Sequence, residues 1–444
     1  MTFDAPPSAT QQRPWKAAFV WLVVLGTLFF STYGAANWLA SQRADVGAIV
    51  FDWERHIPFR AWTIIPYWSI DAFYGLSLFV CATYAELMTH VKRLLAAQAL
   101  AISCFVAFPL RFSFDRPATE GLPGWMFDVL LGFDKPFNQV PSLHIVLLVI
   151  LWVLYAKHVP SRLRWLVHAW SFVIGASVLT TYQHHFIDVP TGIWVGWLCM
   201  WLLPENGPAV LTRLSLTADA GRRRIALWYA LAGLGIAALA LAVGGAALFL
   251  LWATGSLLLV ALIYLALDET AFQKGANGTM SAAAWWLFAP YFAGAWINSR
   301  LWTRRDAPFN TAYPGVLLGR TPTDNDLTRE GIRAVVDLMA ELPLRGRDRV
   351  YHNVPVLDLT LPSEAQLVAA VRAIESACRC GPTLVCCALG YSRSALACGA
   401  WLLLTGRAPS IEDALGRLRR ARPSVVLDER HAGLLRRLSD SRYE

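Results

Sequence analysis

Between Trp15 and about Trp302 long apolar runs alternate with short polar breaks, whereas from Arg304 onward charged residues recur every few positions. A helix needs about 20 mostly apolar residues to cross the hydrocarbon of a bilayer. The candidate runs are Lys16–Leu39, Ala61–Leu87, Leu94–Leu110, Pro141–Tyr155, Leu166–Thr181, Val189–Leu203, Ile225–Val243 and Ala246–Leu267. The first sits behind Arg13 and Lys16, as the core of a signal peptide would, but it is long and no small-residue cleavage site follows, so a span is expected. The segment Ser281–Trp302, "SAAAWWLFAPYFAGAWINSRLW", differs from these runs. Pro290 interrupts it, Trp and Tyr enrich it, and it leads into Arg300, Arg304 and Arg305, so an interfacial helix is expected there rather than a ninth crossing.

Past Pro314 the period changes. "GVLLG", "AVVDLM", "RVYHNVPVLDL" and "TLVCCA" read as strands, and Thr323–Ala334, Pro362–Arg379, Ser392–Thr405, Ile411–Ala421 and Asp428–Leu438 as helices. Strands alternating with helices predict an α/β domain with a mainly parallel sheet. The expected fold class is therefore multi-domain, an all-α polytopic membrane part followed by a soluble α/β domain. Its segments are 1–50, an N-terminal anchor helix; 51–204, a membrane core; 205–302, two further spans and the interfacial segment; and 310–444, the α/β domain.

Composition sharpens this division. Of 444 residues, 56% are hydrophobic and 16% charged, where a soluble protein carries about 25% charge. The net charge of +8 comes largely from short basic clusters beside apolar runs, namely Lys92-Arg93, Arg222 to Arg224 and Arg304-Arg305. Such clusters orient a membrane protein, and no nucleic-acid partner is expected. With the N-terminus inside, the loops on that side hold eleven Lys and Arg, against six outside (Arg43, Arg55, Arg60, Arg111, Arg116, Lys135). The expected location is the cell (inner) membrane, multi-pass, with the C-terminal domain cytoplasmic. The eight cysteines are scattered without a Cys-x2-Cys pair, so free thiols are expected, with no disulfide framework, no metal and no cofactor.

Ionisable groups beside apolar spans are expensive and are functional candidates. They gather in "PLRFSFDRP" with Arg111 and Arg116, in "NQVPSLHIVLLVI" with His144, and in "TTYQHHFIDVPTG" with His184 and Asp188; the span count puts all three on the external side. A single histidine at a span end is often a headgroup contact, but the three clusters together suit phosphoryl transfer. Two arginines offer forks for phosphate oxygens, a carboxylate-held imidazole can attack phosphorus, and a second imidazole can protonate the leaving oxygen.

This stretch, roughly Phe51 to Leu203, resembles the type 2 phosphatidic acid phosphatase superfamily. It is closer to the inositol-phosphorylceramide-synthase-like branch, which carries Pro-Ser-Leu-His as here at Pro141–His144. The resemblance implies a six-helix core with His184 as nucleophile, Asp188 orienting it, His144 as acid and Arg116 on phosphate. Two departures are visible. Pro109 stands where the phosphatases place a lysine, with Arg111 as a substitute, and Ser177-Val178 stands where they have Ser-Arg. Hydrolysis and headgroup transfer both stay open.

In the tail, "VCCALGYSRSA" (385–395) joins an apolar strand to a helix. A helix N-terminus and an arginine lower a thiol's pKa, and a glycine-relieved loop can turn its N–H groups inward as an anion nest. Cys387 is six residues before Arg393 with Gly390 between them, and this selects it over Cys386. Arg393 can grip two phosphate oxygens, the N–H groups of the loop Ala388 to Ser392 can cradle the anion with Gly390 relieving the crowding, and Ser394 can donate to the sulfur. From about Pro314 to the C-terminus the chain resembles the cysteine-dependent dual-specificity phosphatases. The resemblance implies nucleophile Cys387, phosphate-binding Arg393 and general acid Asp358 in "VPVLDLTLPSEAQL", where a plain turn residue is the other reading. The family's usual histidine before the nucleophile is here Cys386. Cys386, Cys378 and Cys380 are candidate resolving thiols, and Cys378 and Cys398 are expected to be buried structurally.

Taken together, the expected function is a bifunctional membrane phosphatase acting on phosphorylated lipids or headgroups, with a histidine site outside and a thiolate phosphomonoesterase inside. Membrane lipids are the expected partners. A membrane-anchored protein phosphatase, an inositol-phosphotransferase-type enzyme and a pair of degenerate phosphate-binding modules are the alternatives.

Overall fold

The computed structural model describes residues 13–440; residues 1–12 and 441–444, at the two ends of the expected segments, lie outside the described residues. The chain divides into two units, Met1–Arg213 and Leu214–Glu444. The first is helical: α1 (Trp15–Ser41), α2 (Ile64–Val80), α3 (Tyr84–Ala107), α4 (Gly121–Phe133), α5 (Leu143–His158), α6 (Arg164–Thr180) and α7 (Asp188–Leu202). The expected run Ala61–Leu87 is broken. Thr83 caps α3 by accepting from the Glu86 N–H at 3.1 Å, while Glu86 Oε2 accepts from the Ala82 N–H at 2.7 Å, so the chain turns before Tyr84. The third expected span accordingly begins ten residues early. Helix α4 was not anticipated.

Helices α5 and α7 touch backbone to side chain. A Cβ on Gly192 would lie 2.8 Å from Ile145 Cβ and 2.8 Å from the Ser142 carbonyl oxygen, and one on Gly196 would lie 2.8 Å from Val149 Cβ. This small-residue stripe lets two apolar helices pack closely where lipid supplies no hydrophobic driving force. It brings the start of α5, with His144, beside the start of α7, with Asp188.

The second unit opens with α8 (Ala220–Val243), α9 (Leu251–Ala266) and α10 (Ala282–Trp302). Five segments of the described chain are long and apolar enough to cross a membrane: Trp15–Ser41, Tyr84–Ala107, Ser161–Thr180, Ala220–Val243 and Gly245–Ala266. The helices α2, α5 and α7, where three further spans were expected, run only 17, 16 and 15 residues. Helix α10 is continuous through Pro290 and is not among the five.

The α/β part adds β1 (Phe309–Tyr313), β2 (Val316–Arg320), α11 (Asp324–Arg329), β3 (Ala334–Met339), β4 (Val350–Val356), α12 (Glu364–Cys378), β5 (Thr383–Cys387), α13 (Arg393–Leu404), α14 (Ile411–Ala421) and α15 (Glu429–Asp440). The sheet order is β1-β2-β5-β3-β4, parallel except for the β1–β2 pair. Strand β1 was missed by sequence reading, and α11 is half its expected length because the chain turns at Gly331, which has φ +60°, before β3 begins at Ala334. Strands β3 and β5 are buried throughout, as central parallel strands must be. From Arg393 to Leu402 every residue of α13 is buried, which fixes the start of that helix at the end of β5.

Candidate active site

Strand β5 ends at Cys387 and α13 starts at Arg393, so the intervening loop lies at a helix N-terminus, where backbone N–H groups and the helix dipole favour an anion. Gly390 has φ +75°, and a Cβ there would lie 2.3 Å from the Gly319 carbonyl carbon, so the loop can take this path only with glycine. The Cys387 sulfur receives two hydrogen bonds, from the Gly390 N–H at 3.2 Å and from Ser394 Oγ at 3.2 Å. Both would stabilise negative charge on sulfur. Ser392 Oγ lies 3.0 Å from His431 Nε2, and His431 Nδ1 lies 2.6 Å from Asp428 Oδ1. Arg422 steadies the same loop, donating from Nη2 to the Leu389 carbonyl at 3.2 Å.

Arg393 is buried, and four of its N–H groups are engaged. Nη1 donates to Glu341 Oε2 (2.9 Å) and the Val356 carbonyl (2.8 Å), and Nη2 to Glu341 Oε1 (2.7 Å) and Asp358 Oδ1 (2.7 Å). The two-pronged grip of Glu341 fixes the plane of the guanidinium. Burial works against its charge, yet Asp358 and Glu341 together hold it protonated well above the ordinary arginine value. Burial pushes the Asp358 carboxyl up and the charge of Glu341 adds to this, with Arg393 opposing; the net direction is upward. A carboxyl whose pKa is raised by burial beside an anion site is suited to carry a proton to a leaving oxygen.

Cys386 points away from this chemistry. It is fully buried, in register with Asp337 of β3, and burial followed by the charge of Asp337 pushes its thiol well above the ordinary range. Beneath it the buried Lys274 donates from Nζ to Asp337 Oδ2 (2.6 Å) and the Met339 carbonyl (2.7 Å), and Tyr351 Oη donates to Asp337 at 2.6 Å. Cys398 is buried as expected, Cys378 is half-buried and Cys380 exposed.

The helical unit holds a second cluster. A cavity of about 290 Å³ is lined by Tyr67, Asp71, Asp134, His144 and His184 among others. His184 Nδ1 lies 2.9 Å from Asp188 Oδ2, both buried, which fixes the imidazole and leaves Nε2 as its other ring nitrogen. His144 stacks on Tyr67 at 4.3 Å, and its Nε2 has no hydrogen-bond partner. The two histidines thus share one cavity. The arginines do not line it: Arg111 is exposed, and the Arg116 guanidinium lies over the Phe127 ring at 4.5 Å with Nη1 unpartnered.

Sequence reading missed Glu341, and it missed a second histidine couple. His185 Nδ1 lies 2.9 Å from Glu54 Oε2, a carboxylate that also accepts from the Phe51 and Phe186 N–H groups. Burial of Glu54 is outweighed by these bonds, which hold its carboxyl below the usual range. The only available signal was a second acid two or four residues after a first, Asp52 and Glu54 in "FDWERH" and Asp337 and Glu341 in "DLMAELP".

Residues 318–441 match the family described as dual specificity phosphatase, catalytic domain. No curated protein matches the chain. Among solved structures, Tk-PTP in its active form is 28% identical, covering 30% of this chain and 98% of that one with a TM-score of 0.28. Human DUSP28 is 25% identical over 31% of this chain and 97% of its own, TM-score 0.28. PTPMT1 in complex with PI(5)P is 20% identical over 30% and 96%, TM-score 0.28. The chain therefore carries, at its C-terminal end, a dual-specificity phosphatase domain of the cysteine-based, protein-tyrosine-phosphatase-like kind, behind a helical region with five segments apolar enough to cross a membrane.

Proposed function

We propose that the protein is a membrane-embedded phosphomonoesterase whose tail removes phosphate from lipid headgroups. Cys387 sulfur attacks phosphorus; the S–P bond forms as the P–O ester bond breaks, and the Asp358 proton goes to the departing oxygen. Water then attacks phosphorus, giving its proton back to Asp358, and the S–P bond breaks with Ser394 Oγ hydrogen-bonded to the leaving sulfur. An arriving phosphate takes the Nη2–H of Arg393 now bound to Asp358 and adds the unengaged Nε–H, so binding itself releases the acid.

The observation that carries the lipid reading is what surrounds this site in its own unit. Helix α10 reaches the phosphate loop, with Ser299 Oγ donating to the Ala388 carbonyl at 2.5 Å and Tyr391 Oη to the Trp302 carbonyl at 3.2 Å. On that helix Trp296, Ile297, Leu301 and Trp302 are exposed, as are Leu359 and Leu361 beside the acid. Exposed tryptophans and leucines around a phosphate site suit a headgroup at an interface better than a soluble phosphoprotein. Turnover of a phosphorylated glycerolipid in mixed micelles, compared with a phosphotyrosine peptide, tests this. A peptide preference by orders of magnitude would contradict it. The clustering of Arg222 to Arg224 at the start of α8 supports a cytoplasmic tail.

The His184–Asp188 couple facing His144 across one cavity favours a second reading beside the first, a histidine-dependent phosphoryl transfer in the helical unit. His184→Ala eliminates headgroup transfer between lipids in vesicles, whereas Cys387→Ser retains it; loss in the cysteine variant instead would remove this reading.

A further inference from the structure

Dual use of Asp358 as Arg393 partner and proton donor requires its loop to be held in place, and the group that holds the acid's own carbonyl comes from outside the phosphatase domain. The carbonyls leading to and including the acid accept one bond each along a short stretch. Pro355 accepts from Gln366 Nε2 (2.9 Å), Val356 from Arg393 (2.8 Å) and Asp358 from Tyr264 Oη (3.0 Å). Tyr264 is buried in the last turn of α9, the second helix of the apolar pair. Gln366 is in turn tied to Glu269, three residues past that helix, at 2.8 Å. On the far side of the same helix end, Arg222 of α8 donates to the Ile263 and Leu267 carbonyls at 3.1 and 2.5 Å, fixing the α9 terminus that carries Tyr264. Tyr264 and Tyr291 also form a cluster with Tyr229, whose ring centroid lies 5.7 Å from each of the other two.

We propose that Tyr264 is a positioning residue for the general acid: its hydroxyl, delivered by an apolar helix, fixes the Asp358 loop over the thiolate so that proton donation is set by the membrane pair rather than by the tail alone. This rests on the reading of Cys387 and Asp358 given above. The hydrogen bond of the phenol goes to the Asp358 carbonyl, and among the described residues none joins it to the loop 388–392, so its removal should touch chiefly the steps that need the acid. An alkyl phosphate, whose leaving alkoxide is strongly basic, needs the proton; an aryl phosphate with an acidic phenol barely does.

The test uses the full chain in detergent micelles, with short-chain phosphatidic acid and p-nitrophenyl phosphate as the two substrates. Tyr264→Phe removes one hydroxyl and keeps the ring. The expected result is a fall in turnover of the lipid of about 10- to 100-fold, as for a misplaced catalytic group. Turnover of the aryl phosphate should change by less than about threefold, and inhibition by vanadate should stay unchanged. In an Asp358→Asn background the same substitution should add nothing, because coupled residues are non-additive. Equal losses on both substrates would make Tyr264 merely structural and overturn the proposal, as would no loss on either, or full additivity with Asp358→Asn. Cys387→Ser reports separately on the underlying reading; activity on both substrates that survives it would overturn both.

Discussion

The two candidate sites of this chain are built from opposite materials. In the tail, charge is closed on itself. The sulfur of Cys387 has two donors, and Arg393 is bound by two carboxylates and a carbonyl. In the helical unit, the cavity carries two histidines and two aspartates, while Arg116 rests on an aromatic ring with a donor unpartnered. An anion site assembled from one loop and one helix terminus can be complete in the absence of ligand. The helical cavity instead gathers its side chains from several helices far apart in the chain.

That contrast can be broken most forcefully at the nucleophile. Cys387→Ser should lower phosphomonoester turnover by about four orders of magnitude or more, measured on the purified chain with p-nitrophenyl phosphate. Arg393→Lys should follow with a loss of about 10³-fold, since an ammonium cannot fork onto phosphate and leaves Glu341 and Asp358 short of partners. Asp358→Asn should cost about 10²-fold on lipid phosphate. It should also alter the pH profile. Because burial raises the Asp358 carboxyl, it stays protonated above the usual carboxylate range, so activity is full below that pKa and declines as pH rises through it; in the asparagine variant this basic limb disappears. At the small end, Cys386→Ser should keep turnover within about threefold, because the buried thiol faces Asp337 rather than the phosphate loop. A loss as large as that of Cys387→Ser would mean the nucleophile is misassigned.

Legibility from sequence followed distance along the chain. The thiolate loop occupies eleven consecutive residues, and its strand-loop-helix setting could be read directly; α14 has the bounds its pattern predicted. Glu341 lies 52 residues from the arginine it grips, Tyr264 94 from the carbonyl it holds, and Glu54 131 from His185, and no local pattern announces such pairs. Apolar periodicity likewise could not show the break between α2 and α3, because hydrophobicity is continuous across it and one capping threonine decides the turn. Strand β1, "FNTAY", is short and only its first residue is buried, so its pairing with β2 rather than its composition makes it a strand. At Pro290 only the expected interruption fails, since the helix runs through the proline while the segment stays outside the five candidate spans.

The most direct measurement is to map the covalent intermediate. The full-length protein in mixed micelles, mixed with a radiolabelled phosphorylated glycerolipid and quenched rapidly, should carry label on the peptide containing Cys387, as an iodine-sensitive thiophosphate that is absent from Cys387→Ser. Label confined to the peptide containing His184, or no label on Cys387 while lipid phosphate is being released, would contradict the assignment of phosphomonoesterase activity to the tail.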